Sequence, residues 1–114
     1  MVAETALERQ LVCTRISETL ASGAVDRVEL LRIVKTLASL AHDLAWDVKA
    51  QLRGRNDTPA MEQASRWVSS AQTALTWAER NAQYALTFEL ARCIEVANSA
   101  ALKVVESLQL QSAA

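Results

Sequence analysis

Helix-breaking residues are almost absent from this sequence. Its 114 residues include only two Gly, Gly23 and Gly54, and a single Pro, Pro59. A Gly-rich phosphate-binding loop cannot be built from so few glycines. Ala is the commonest residue, and Ala, Leu, Arg, Gln and Glu all lose little conformational freedom on entering a helix. The sequence therefore predicts an all-α protein.

Other missing features exclude further classes of protein. No apolar run approaches the roughly 20 residues that span a bilayer. The first ten residues contain Glu4 and Glu8 and lack the basic-then-apolar pattern of a signal peptide. The net charge of −1 gives no indication of nucleic-acid binding. We therefore expect a cytoplasmic protein with no transmembrane segment and no nucleic-acid partner.

Residues for catalysis or metal binding are also scarce. Cys13 and Cys93 lack metal-ligand spacing, and we interpret them as reduced small hydrophobes. Asp43 and Asp47 share a helix face, but no Glu-x-x-His motif accompanies them, which argues against a di-iron bundle. The single histidine, His42, would have to serve any Ser/His/Asp or Cys/His arrangement. We therefore expect no enzyme, no metal, no cofactor and no small-molecule ligand.

Apolar side chains at three- and four-residue spacing are abundant, and they predict helices. The first helix is expected over 4–21, with Gly23 as its stop. The second is expected over 27–53, with Asp26 as its N-cap and Glu29 completing a capping box. The second helix carries a heptad-type seam, widened on one side by two further apolar residues. The set is Leu30, Val34, Leu37, Ala41, Leu44 and Val48, with Ile33 and Leu40 beside them.

The longest uninterrupted stretch covers 59–110, opened by Thr58 as N-cap and Pro59 at the first helical position. Two interpretations compete for it. A single continuous or kinked helix would be about 75 Å long, too long for a compact monomer, and would demand a partner chain. A turn near residue 81 would instead give a four-helix bundle. Since nothing stronger than Asn81 interrupts the helical pattern there, we slightly favour the continuous helix. We therefore expect a bundle of three or four helices in one domain over 1–114, completed by dimerisation.

Trp46 is the most informative candidate for a binding residue. It lies opposite the seam of the second helix, on a side shared with Lys35, His42, Lys49 and Arg53. A large aromatic side chain on a charged face is typical of an anchor for another protein surface. The alternative is that this side packs on a neighbouring helix of the same chain.

Trp77, Tyr84 and Phe88 form a second aromatic group at helical spacing, with Asn81 among them. Aromatic residues in such a pattern are most often core. The functional interpretation is a ligand pocket or a self-association surface.

One short motif carries a resemblance to a known family. Residues 41–44, Ala-His-Asp-Leu, resemble the start of the histidine-phosphotransfer motif, in which a His on a helical bundle is followed two residues later by Leu. The resemblance implies that His42 is exposed and accepts a phosphoryl group, with Lys35 and Lys49 offsetting its charge. That family continues with Lys-Gly, where this chain has Ala45 and Trp46.

A second resemblance is mainly one of composition. The Ala-rich, Gly- and Pro-poor make-up and the stretch 84–91 loosely resemble phasins, which coat polyester storage granules. This resemblance implies an amphipathic coat protein. From the sequence as a whole we expect a non-enzymatic helical interaction or adaptor subunit that binds itself and another protein. A phasin-like coat and a phosphotransfer module using His42 remain the alternatives.

Overall fold

The chain folds as a bundle of α-helices that run along one long axis. The computed structural model describes the backbone of residues 2–54 and 58–113, and the side chains of residues 6–54 and 58–110. This part of the chain forms α1 (Val2–Ala21), α2 (Arg27–Arg53), α3 (Pro59–Arg80) and α4 (Thr87–Ala113), and contains no strand. The bundle is 43 Å long, close to the ~40 Å of a 27-residue helix such as α2. The predicted all-α helical bundle is therefore confirmed.

The ends of α1 and α2 follow the signals read from the sequence. Gly23 adopts a φ of +70°, a conformation that side chains with a Cβ rarely adopt, and it closes the C-terminus of α1. The Asp26 carboxylate accepts a hydrogen bond from the Glu29 backbone N–H at 2.8 Å and caps α2. The Glu29 carboxylate accepts from the Arg32 guanidinium at 3.0 Å and not from the Asp26 N–H, so the predicted capping box is only half formed. Helix α3 begins as predicted, with the Thr58 hydroxyl accepting from the N–H of the third residue along.

Helix α4 lies at the centre of the arrangement and packs against α1, α2 and α3. The whole predicted seam of α2, including Ile33 and Leu40, is buried. The facing sides of α3 and α4 carry many small residues, which let the helix backbones approach closely. The buried alanines of these two helices are Ala64, Ala71, Ala78, Ala97, Ala100 and Ala101. None of the described helices combines the length and apolarity needed to cross a bilayer.

The favoured prediction of one helix over 59–110 is wrong. Helix α3 ends at Arg80 and α4 begins at Thr87, so the chain turns at the alternative break point near residue 81. The two halves of the long stretch pack on each other within one chain. The argument that an over-long helix requires a partner chain therefore no longer holds. The predicted loop residues 55–57 lie outside the described part of the chain.

Local and tertiary hydrogen bonds together explain a turn that contains neither Gly nor Pro. The Asn81 side-chain amide donates to the Trp77 carbonyl at 2.8 Å at the end of α3. The Arg27 guanidinium, at the start of α2, donates to the carbonyls of Ala82 and Ala85. Since Arg27 is 55 residues from Ala82 in sequence, no local pattern reveals this support. The Glu89 carboxylate then accepts from the Leu86 N–H at 2.8 Å and caps α4.

Candidate functional site

The outward side of α2 carries a basic stripe that includes a large aromatic residue. Its members repeat at alternating three- and four-residue spacing, so they share one helix face. They are Arg32, Lys35, Ser39, His42, Trp46, Lys49 and Arg53, and all are exposed. Trp46 is 61% exposed, so no neighbouring helix of the described chain covers it. The structure thus brings together four of the predicted binding residues, His42, Trp46, Lys49 and Arg53, on one surface.

A groove of about 540 Å³ runs between this stripe and α3. Helix α2 contributes His42, Trp46 and Lys49 to its wall, and α3 contributes Ser65 and Ser69. Apolar side chains form much of the remaining lining. They are Ala45, Val48, Leu52 and Val68, of which Val48 and Val68 belong to the buried core. The groove therefore has a partly apolar floor beneath polar and cationic edges.

A second hollow of about 580 Å³ continues this groove along α3, because Ser69 and Gln72 line both. It extends past Trp77 to Arg80 and Asn81, and all of its lining residues belong to α3 or its C-cap, so α2 forms a wall of the first hollow alone. The distance along α3 from Ser65 to Asn81 is about 24 Å at 1.5 Å per residue. We call the combined surface the α2–α3 groove. Trp46 and Trp77 lie towards its opposite ends.

The charges that line the α2–α3 groove have one sign. Lys49 and Arg80 contribute cations, and neither Asp nor Glu lines either hollow. The carboxylates of α2 lie elsewhere, and that of Asp47 forms an ion pair with Arg9 of α1 at 2.5 Å. The net charge of the whole chain is −1, yet this groove has a local excess of positive charge.

A separate apolar surface lies at the end of the bundle formed by the α1–α2 and α3–α4 connections. We call it the turn-end patch, and its exposed members are Val28, Tyr84, Leu86 and Phe88. Tyr84 is 83% and Phe88 67% exposed. Leu86 and Phe88 also border an apolar groove of about 520 Å³ that includes Val25 and Leu30.

The turn also separates the second predicted aromatic group. Trp77 lies on α3, Tyr84 in the turn and Phe88 on α4, so the three do not form one helical stripe. The interpretation of these residues as core is wrong, since all three are exposed. Trp67 of α3 is instead the partly buried tryptophan, packed against the core with the Lys103 ammonium 5.5 Å from its ring centre.

The cysteines show no sign of activation as nucleophiles. Burial raises the pKa of the Cys13 thiol from 9.0 to about 11. Burial, with a smaller contribution from the nearby Glu89 carboxylate, also raises the pKa of Cys93. Both effects disfavour the reactive thiolate. Within the part of the chain that the structure describes, no three His, Cys, Asp or Glu residues are grouped so that they could hold a metal ion.

Part of this surface was not recognised from the sequence. The α3 wall of the groove includes Ser65, Ser69, Gln72 and Thr76, spaced at four, three and four residues. This spacing predicts a polar stripe of small side chains beside the buried alanines of α3, so the sequence did contain a signal for it. Val28 lies 18 residues before Trp46, five full turns of α2, so the same helical pattern predicts its exposure. Leu86 lies between α3 and α4, where no helical pattern applies.

The chain matches no family model, no curated protein and no solved structure. Its function is therefore argued from the two surfaces described above.

Proposed function

We propose that this chain is a non-enzymatic helical interaction subunit. It pairs with a second copy of itself through the turn-end patch, and it offers the α2–α3 groove to a different protein. The observation that carries the proposal is the exposure of Trp46, Tyr84 and Phe88 on a bundle whose core is already filled. Large aromatic side chains exposed in this way are typical of the anchors of protein interfaces.

The size of the turn-end patch supports the pairing of two copies. At roughly 200 Å² per aromatic side chain, the exposed parts of Tyr84 and Phe88 amount to about 300 Å². Leu86 and Val28 add to this area. Contiguous apolar patches of about 300–600 Å² are the largest on typical monomers and are often functional. The patch is smaller than the ~800 Å² per partner of a standard interface, so we expect a dimer that dissociates on dilution.

The pairing can be tested with one substitution and a matched control. Leu86→Glu places a carboxylate within the turn-end patch, where a second copy would have to desolvate it. Leu110→Glu makes the same chemical change near the other end of α4, at a leucine that is 71% exposed against 58% for Leu86. Light scattering coupled to size exclusion, over a range of concentrations, measures the mass of each protein.

We expect the wild type and Leu110→Glu to shift from monomer to dimer as concentration rises, while Leu86→Glu stays monomeric. A wild type that remains monomeric at every concentration would contradict the pairing. So would a dimer that both glutamate variants retain. Circular dichroism of each variant verifies that the helices are intact.

His42 provides a second candidate function, favoured by its exposed position on a helix of a four-helix bundle. In a phosphotransfer module a ring nitrogen would accept a phosphoryl group, and Lys49 in the same groove would offset its charge. Incubation with phosphoramidate followed by ³¹P NMR tests this. We expect a phosphohistidine signal that His42→Ala abolishes if the candidate is correct. Trp46, one turn from His42, departs from the motif and makes this the weaker candidate.

The coat-protein alternative has less support. The seam of α2 and the apolar faces of α3 and α4 are buried in the bundle, whereas a coat protein must present such faces to a granule surface. A chain of this kind would gain helix on adding a lipid or polymer surface. We therefore expect circular dichroism to show little change when vesicles are added.

A further inference from the structure

We propose that the α2–α3 groove binds an acidic amphipathic helix of a partner protein. This inference rests on the proposed function, since it names the chemistry of the protein that the groove accepts. It follows from three features of the groove: its length, the partly apolar floor of the hollow beside Trp46, and the sign of the charge along it.

The shape of the groove suits one helix. Its ~24 Å length corresponds to about four helical turns at 5.4 Å per turn. Ser65 and Ser69 are small, so a partner backbone can approach α3 closely at that point. Trp46 rises beside them and offers a large flat surface. Helices that bind in grooves place apolar residues at three- and four-residue spacing along such a floor.

The positive charge along the groove determines the sign of charge that a partner helix must carry. The groove edges carry Lys49 and Arg80 and no carboxylate, and Lys35 and Arg53 extend the same sign along α2. A helix with basic flanks would be repelled at these positions. One with carboxylates beside its apolar face gains an opposite charge at each of these positions.

The spacing on α2 also sets the expected pattern of the partner. Lys35, His42 and Lys49 repeat every seven residues, which places them about 10.5 Å apart along the helix axis. A helix lying alongside α2 meets these side chains best when its carboxylates also repeat at about two-turn intervals. The expected partner thus has a leucine-type face with Glu or Asp seven residues apart beside it.

The probe is a set of helical peptides about eighteen residues long, each with the same leucine face. The flanking positions, seven residues apart, are Glu in one peptide, Gln in the second and Lys in the third. Binding to the full chain is measured by titration calorimetry at low salt. We expect the Glu peptide to bind tightest and the Lys peptide weakest, with about a tenfold difference between these two for a pair of exposed charge contacts.

Charge reversal of the protein identifies the surface that binds. In Lys35→Glu/Lys49→Glu we expect the order of the three peptides to invert. Arg15→Glu/Arg92→Glu, at exposed arginines of α1 and α4, changes the net charge equally and should leave the order unchanged. Trp46→Ala should weaken all three peptides alike, because it removes apolar contact without altering the charge.

Equal binding of the Glu and Lys peptides, or of the Glu peptide to both charge-reversed proteins, overturns the proposal. Failure of the wild type to bind any of the peptides overturns it as well. Vesicles of phosphatidylglycerol and a 20-base-pair DNA duplex are titrated in parallel. If either of these binds, if Lys35→Glu/Lys49→Glu abolishes that binding, and if the peptides do not bind, the groove binds another class of polyanion and the inference is wrong. The dimer measured through Leu86→Glu is independent, so its survival would leave the proposed function standing when this inference fails.

Discussion

Replacing Arg27 by Met should weaken the α3–α4 turn. The Arg27 guanidinium bridges the start of α2 to two carbonyls of the turn, bonding Ala85 at 2.6 Å and Ala82 through its other terminal nitrogen. Met retains the aliphatic stem of Arg and removes both donors. The turn then retains only local bonds, among them that of the Asn81 amide to Trp77.

The size of the effect follows from these two bonds. A hydrogen bond to a charged group contributes about 1.5–3 kcal/mol to stability. Arg27 is partly exposed, so water recovers part of each bond, and we expect a total loss of about 2–3 kcal/mol. In a domain of this size, with roughly 5–15 kcal/mol of stability, that loss lowers the Tm by about 10 °C.

The direction of the local change is as informative as the loss of stability. Released from Arg27, residues 81–86 contain no Gly or Pro that prevents them from becoming helical. In one outcome, α3 and α4 join into one helix about 80 Å long that packs with a second chain. In the other, the turn is only loosened. Hydrogen exchange with mass spectrometry distinguishes the outcomes, since amides 82–86 gain protection in a joined helix and lose it in a merely loosened turn.

The matched control is Arg32→Met on the same helix. Arg32 bonds only the exposed Glu29 carboxylate at 3.0 Å among its described contacts, and such pairs contribute at most about 1 kcal/mol. Urea unfolding at low protein concentration measures both variants. If Arg27→Met is no less stable than Arg32→Met, and exchange at 82–86 is unchanged, then the turn is set by its local sequence and this reasoning is wrong.

Two further predictions concern the buried polar groups of α1 and α4. The Asn98 amide donates to the Cys13 carbonyl and the Ser17 hydroxyl, each at 2.9 Å, while its own oxygen is buried without a partner. Asn98→Leu removes both the bonds and the unpaired oxygen, so its unfolding free energy should stay within about 1 kcal/mol of wild type, whereas Asn98→Asp should lose about 3 kcal/mol or more. Burial raises the pKa of Cys13 from 9.0 to about 11. The protonated thiol therefore stabilises the folded state fully below pH 9, and this stabilisation is lost as the pH rises towards 11. Chemical unfolding over that range should show a fall of about 2–3 kcal/mol that Cys13→Ala lacks; equal falls in both proteins would assign the effect to other groups.

Local signals predicted the elements that depend on local interactions. Asp26 caps the helix that begins at the next residue, and Gly23 ends the helix that precedes it. The seam of α2 is a repeat within that one helix, so it too can be read locally. The turn at 81–86 depends on Arg27, which lies far away in the chain. Helical pattern alone therefore favoured the wrong interpretation of 59–110.

The candidate surfaces could be predicted only in part, for a similar reason. Trp46 was identified because α2 by itself shows that it lies opposite the buried seam. The groove beside it needs the relative position of α2 and α3, which the sequence does not provide. Tyr84 and Phe88 were predicted as partner-binding residues, with core as the alternative that their spacing favours. That spacing has no meaning here, because Tyr84 lies in the turn and Phe88 in α4.

The position of α1 explains why the α2–α3 groove is open. Helix α1 packs on α4, and the Arg9–Asp47 ion pair ties it to a side of α2 away from the groove. Because α1 packs on α4 and on the other side of α2, it does not fill the hollow between α2 and α3. A partner helix bound there would occupy the place of a fifth helix of the bundle, over Val48 and Val68. It would bury Trp46 and meet the basic stripe without rearranging the core, so binding should leave the hydrogen exchange of α1 and α4 unchanged while slowing that of α2 and α3.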